Sequence, residues 1–169
     1  MTSPAATSER ARRLANIELH AIALQHRRLH SSEAEDDQFV MRWWVDLQFL
    51  VVALRRCRRA VTIAISDRDS DLKAALDSFD AALPSLETMR NIGEHMDAYA
   101  VDDPERHDEA IDRRQLEVGD WDGRKFRWLK QADGTSHELD IDTALTAARD
   151  LYAALRESVV TSGPGRLRL

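Results

Sequence analysis

A chain of 169 residues, 43% apolar and 32% charged, fits one soluble globular domain around one core. Its formal charge of −6 excludes a protein that grips duplex DNA by bulk electrostatics, though not a local basic site. Cys57 is the only cysteine, which excludes an internal disulfide, and residues 1–7 have neither the basic nor the apolar region of a signal peptide.

In chain order, Ser8 is the expected N-cap of a first helix over 9–30, with Leu14, Ile17, Ala21 and Leu24 as its apolar stripe. The polar run 31–37 reads as a linker. A second helix over 38–65 carries Phe39, Trp43, Leu47, Leu50, Leu54, Cys57, Val61 and Ile65, broadened by Trp44 and Val51, and is expected at the centre. Its most apolar segment, 45–54, is ten residues long and contains Asp46 and Gln48, too short and polar to cross a bilayer. A third helix over 71–83 presents Leu72, Ala75, Leu76 and Phe79. Pro84 ends it, and a fourth helix opens at Pro84 or Ser85 with Leu86, Met89, Ile92, Met96 and Ala100 as its buried stripe.

Beyond 101 the texture changes to a charged connection and then to strand-like runs at 115–118, 125–129 and 136–141. Asp122-Gly123 and Asp133-Gly134 supply hairpin turns. Trp121 and Trp128 are expected to pack this small sheet on the helices. Asp142 is read as the cap of a last helix carrying Leu145, Ala148, Leu151, Tyr152, Leu155 and Val159. The fold expected is mainly α: an antiparallel four-to-five-helix bundle over 8–161, with a β-hairpin insertion at 115–141 before the last helix and disordered tails at 1–7 and 162–169.

Chemistry concentrates at Arg90-Asn91-Ile92-Gly93-Glu94-His95, in the middle of the expected fourth helix. Arginine clamps phosphate, histidine moves protons near neutral pH, and asparagine orients either one. Arg90-Asn91-x-x-x-His95 in a small helical bundle resembles the active-site motif of HEPN-domain proteins, many of them metal-independent ribonucleases of toxin and defence systems. The resemblance covers roughly 10–100 plus the last helix. It implies Arg90 as phosphate clamp, Asn91 as orienting group and His95 as acid/base, with a homodimer, RNA as ligand and no cofactor.

Helical geometry restricts that implication. At about 100° per residue, positions 90 and 95 stand ~140° apart, so a shared site needs a bend at Gly93 or a second copy. Arg90 instead stacks with Glu94 and Asp97, the arrangement of an intrahelical ion-pair cluster. The competing reading is a non-catalytic interaction or dimerisation module that docks a protein partner through the polar face of helix four and the hairpin.

All but three of the 24 basic residues are arginine. Arg55, Arg56, Arg58 and Arg59 form the densest cluster, a candidate RNA or acidic-partner contact in which Arg55, Arg56 and Arg59 join Glu94 as binding candidates. His26 and His30 have the four-residue spacing of metal ligands, but they point away from the Leu14–Leu24 stripe and no Glu-x-x-His element accompanies them, so they read as surface histidines with no metal. No phosphate-cradling glycine loop, nucleophile elbow or cysteine cluster is present, and the expected location is the cytoplasm.

Overall fold

The structure, a computed structural model, describes residues 3–31, 41–65, 70–96, 119–128 and 136–161. Among these it is mainly helical, with α1 Pro4–Leu29, α2 Arg42–Ala64, α3 Ser70–Ala82, α4 Leu86–Glu94 and α5 Ile141–Thr161. Strands β1 Asp120–Trp121, β2 Lys125–Trp128 and β3 His137–Asp140 form one antiparallel sheet in the order β1-β2-β3, placed before α5 as expected.

α1 starts earlier than its sequence suggests. Ser3, not Ser8, is the N-cap, its hydroxyl accepting from the Ala6 N–H, and Pro4 supplies a preset φ in the first turn. Residues 4–7 are therefore helix rather than tail. The apolar stripe is also different. Ala11, Ala15, Ile22 and Leu29 are buried, whereas Leu14, Ile17 and Leu24 are exposed. α1 packs most extensively on α2, and small alanines on the inner arc allow two helix backbones to approach closely.

α2 is central, as its pattern predicts. Leu47, Leu50, Leu54, Cys57 and Val61 are buried, Trp43 and Trp44 are partly buried, and Phe39 lies outside the described residues. α3 is tied to α2 by a two-bond pair in which Arg58 donates to both oxygens of Asp80, at 2.6 and 2.5 Å. Burial pushes the Cys57 thiol up to about 12, so it serves as a small apolar side chain.

α4 buries Leu86, Met89 and Ile92, but it ends at Glu94. Met96 is exposed rather than part of the buried stripe, and Ala100 lies outside the described residues. In the sheet, Asp122 accepts from the Lys125 and Arg124 N–H groups at 2.7 and 3.0 Å, and Gly123 takes φ +92°, closing the β1–β2 turn. Period-two alternation then sends Phe126, Trp128 and Leu139 inward, where Trp44 of α2 meets Phe126 and Trp128 edge-on at 5.5 and 5.2 Å. Trp121 packs partly buried against the same core. The expected strand at 115–118 and the Asp133-Gly134 turn lie outside the described residues, as does the tail at 162–169.

The α5 cap also differs. Asp140, not Asp142, caps the helix: its carboxylate accepts from the Thr143 N–H at 2.9 Å. Asp142 is thereby left free to face α1. Leu145, Ala148, Leu151 and Leu155 are buried as their spacing predicts.

Candidate functional site

The Arg90-Asn91-His95 motif sits at the C-terminal end of α4, not in its middle. Arg90 donates to the Asn91 amide oxygen at 3.0 Å and pairs with Glu94 one turn on, while Asp97 lies outside the described residues. His95 is the C-cap. Its N–H still bonds the Asn91 carbonyl at 3.0 Å, which keeps its Cα in the phase of the helix, and its side chain is exposed. Arg90 and His95 thus stand on different flanks, ~140° apart by helical phase.

α4 runs through Gly93 to Glu94 and leaves helical geometry at His95. A Cβ at Gly93 would stand 3.0 Å from Oε1 of Gln48, the far end of a side chain of α2. Within one chain, the structure shows no convergence of Arg90 with His95.

The arginine cluster of α2 is divided by helical phase. Arg55 turns toward α4 and donates to Glu87 at 2.9 Å, Arg58 is taken by Asp80, and Arg56 and Arg59 are exposed. Of the residues read as a binding group, Arg55 and Glu94 are therefore engaged in intramolecular pairs, while Arg56 and Arg59 share the outer surface of α2.

That outer surface has an unexpected apolar character. Leu14, Ile17, Ala21 and Leu24 of α1 fall within an arc of about 80°, and Val45, Phe49, Val52 and Ile63 of α2 within about 60°. Ile17 is 61% and Phe49 58% exposed. Arg28 belongs to the same α1 arc and donates to the buried Asp46 of α2 at 2.8 Å, so this arc is turned toward α2. The pairing of 28 with 46 sets the antiparallel alignment. Counting turns from that pair puts Leu24 level with Phe49 and Ile17 level with Arg56 along the helix axes, to within about one residue. The most exposed charged residues of α1 and α2 are arginines, Arg10, Arg13, Arg27, Arg28, Arg56 and Arg59, of which Arg13 is paired with the part-exposed Glu9 and Arg28 with Asp46.

A second grouping lies where the end of α1 meets the start of α5. His26 Nε2 is 2.7 Å and His30 Nε2 3.2 Å from the same Asp142 oxygen. The bonds from His26 and then His30 hold the Asp142 carboxyl below the usual carboxylate range. His30 is exposed and His26 half-buried, and Asp142, from the far end of the chain, joins them. No local signal could have found it beyond the four-residue histidine spacing itself. Asp142 also lines a cleft of about 580 Å³ between α3 and α5, together with Ser78, Phe79, Thr146 and Asp150.

Compared with known proteins, the chain matches no protein-family model, no curated protein and no solved structure.

Proposed function

We propose that this chain is a non-catalytic interaction module, and that its docking surface is the outer face of the α1–α2 pair rather than the polar face of α4 and the hairpin. The observation that carries this reading is the exposure of Leu14, Ile17, Leu24, Val45 and Phe49 in adjoining arcs of two packed helices. Contiguous exposed apolar surface of this kind marks interaction sites in folded proteins. A groove between two antiparallel helices is the shape that receives a third helix.

Charge selects the occupant. In a chain of net −6, the most exposed charges on these two helices are arginines, and the carboxylates Glu9 and Glu18 are only partly exposed. A second copy docked face to face would oppose arginine to arginine, whereas an amphipathic helix with an apolar stripe and acidic flanks is complementary. RNA fits less well, because among the exposed large apolar residues of the face only Phe49 is aromatic and can stack a base. Cys57 requires no oxidising compartment, and no helix among the described residues is long and apolar enough to cross a membrane. Both support a cytoplasmic setting as part of this reading.

The probe is a synthetic amphipathic helix with a leucine stripe and glutamate flanks, set against its lysine-flanked twin. The glutamate form is expected to bind in titration calorimetry at least tenfold tighter, a difference of about 1.4 kcal/mol. Equal binding of the two, or none, would remove the reading. Concentration-dependent dimerisation lost in Phe49→Glu would assign the face to a second copy instead.

The metal-independent ribonuclease implied by the motif is a second reading, supported by the exposure of His95 at the end of α4. It needs Arg90 released from Glu94 and paired with His95 of another copy across a homodimer. Metal-free RNA cleavage lost in both Arg90→Ala and His95→Ala would establish it.

A further inference from the structure

We propose that His26, His30 and Asp142 form a binding site for one divalent transition-metal ion of the zinc class, joining the end of α1 to the start of α5. The proposal is independent of the docking surface.

The fold builds the site from two pre-ordered halves. Residues four apart on a helix share a face, and two imidazoles at that spacing can hold one ion between them. His26 lies in the last turn of α1 and His30 is its C-cap, their rings 4.5 Å apart, and both present Nε2. The helix C-terminus also carries partial negative charge, which favours a cation there. The third ligand is fixed by the Asp140 cap, which starts α5 one residue later and sets Asp142 in its first turn against α1.

The distances approach those of a metal set. Zinc holds imidazole nitrogen at about 2.0–2.1 Å and carboxylate oxygen at about 2.0–2.2 Å, which in a tetrahedral set puts neighbouring ligand atoms about 3.4 Å apart. The two histidine–aspartate separations, 2.7 and 3.2 Å, are hydrogen-bonded distances that must open slightly to admit an ion, and the three ligand atoms all lie within 4.8 Å of one another. Small ring rotations suffice for that. An ion would take the place of the hydrogen bonds between the two Nε2 atoms and Asp142 Oδ1.

The surroundings are those of a metal ligand set rather than a sealed core network. Arg124 Nε lies 3.9 Å from Asp142 Oδ2 and is itself held by Asp140 at 2.8 Å. It engages the second oxygen and leaves Oδ1 to the histidines, an outer-shell role, though its charge also weakens cation affinity. The side chains of His30 and Asp142 are 42% and 48% exposed, so an ion reaches the site from solvent. Three protein ligands leave room for water or an exogenous ligand, and Asp142 places that position beside the α3–α5 cleft. Two imidazoles select zinc, cobalt or nickel over magnesium and calcium, which prefer oxygen alone.

The test uses the full chain without an affinity tag, titrated with Co2+ and followed by its visible absorption, and with Zn2+ followed by calorimetry and thermal melting. Wild type is expected to bind one ion per chain, and Zn2+ is expected to raise its melting temperature, reversed by a chelator. His30→Ala, at an exposed position, and Asp142→Asn, of the same shape, should each lose more than the ~10–100-fold that removal of an outer-shell partner costs. His20→Ala and His95→Ala should bind as wild type does. Circular dichroism shows whether each variant is folded before titration; should Asp142→Asn misfold, His30→Ala decides. No binding by wild type, or unchanged binding in His30→Ala, would overturn the assignment, as would loss of the site in His95→Ala.

Discussion

α2 has two apolar faces, and only one of them is covered. On the inner face Trp44 meets Phe126 and Trp128 of the sheet, while Leu47, Leu50 and Leu54 are sealed among the helices. On the outer face Val45, Phe49 and Ile63 lie open beside Leu14, Ile17 and Leu24 of α1. The inner face is therefore committed to folding, whereas the outer one contributes little to it and is available for association. Hydrophobicity alone does not distinguish them; what lies against each does.

The largest expected effect is on the inner face. Trp128→Ala removes a 2% exposed indole from its contact with Trp44 and should cost about 3–5 kcal/mol in denaturant unfolding. A loss below about 1 kcal/mol would mean that the sheet is not anchored as described. On the outer face, Ile17→Ser and Leu24→Ser should each change stability by no more than about 0.5 kcal/mol in the same measurement. Losses as large as that of Trp128→Ala would make the two faces equivalent and erase the comparison.

A smaller effect sharpens the account of the sheet that covers the inner face. The Asp122 carboxylate, bonded by the Lys125 and Arg124 N–H groups and then by Arg127, is held below the ordinary carboxylate range. A depressed folded value means that its contribution to the turn is complete above the unfolded pKa near ~3.9 and is lost as pH falls through the lower folded value. Carboxyl NMR should find its midpoint below that of an unstructured aspartate. A midpoint at or above the unstructured value would place the side chain outside the turn.

Much of the fold was legible because periodicity reports burial. The stripes of α2, α3 and α5 and the Asp122-Gly123 turn follow from spacing and turn chemistry. α1 misled because it carries two apolar arcs, and the buried one is built partly from Ala11 and Ala15, which count for little by size yet allow close helix approach. The larger Leu14, Ile17 and Leu24 drew the core assignment to the wrong side.

The candidate sites show the reverse of local legibility. Arg90 and His95 are close in sequence, but helical phase separates them and Glu94 takes the guanidinium. His26 and Asp142 are 116 residues apart and come within 2.7 Å. Side-chain convergence of that kind depends on which helices pack together, and that information is spread over the whole chain.

The most direct measurement pairs binding with stability in one variant, Phe49→Glu. It places an acid on the outer face among the arginines without touching the inner one. Binding of the glutamate-flanked helix is expected to fall at least tenfold while the unfolding free energy stays within about 0.5 kcal/mol of wild type. Unchanged binding, or a loss of binding that only follows a loss of folding, would contradict the assignment of this face to a partner.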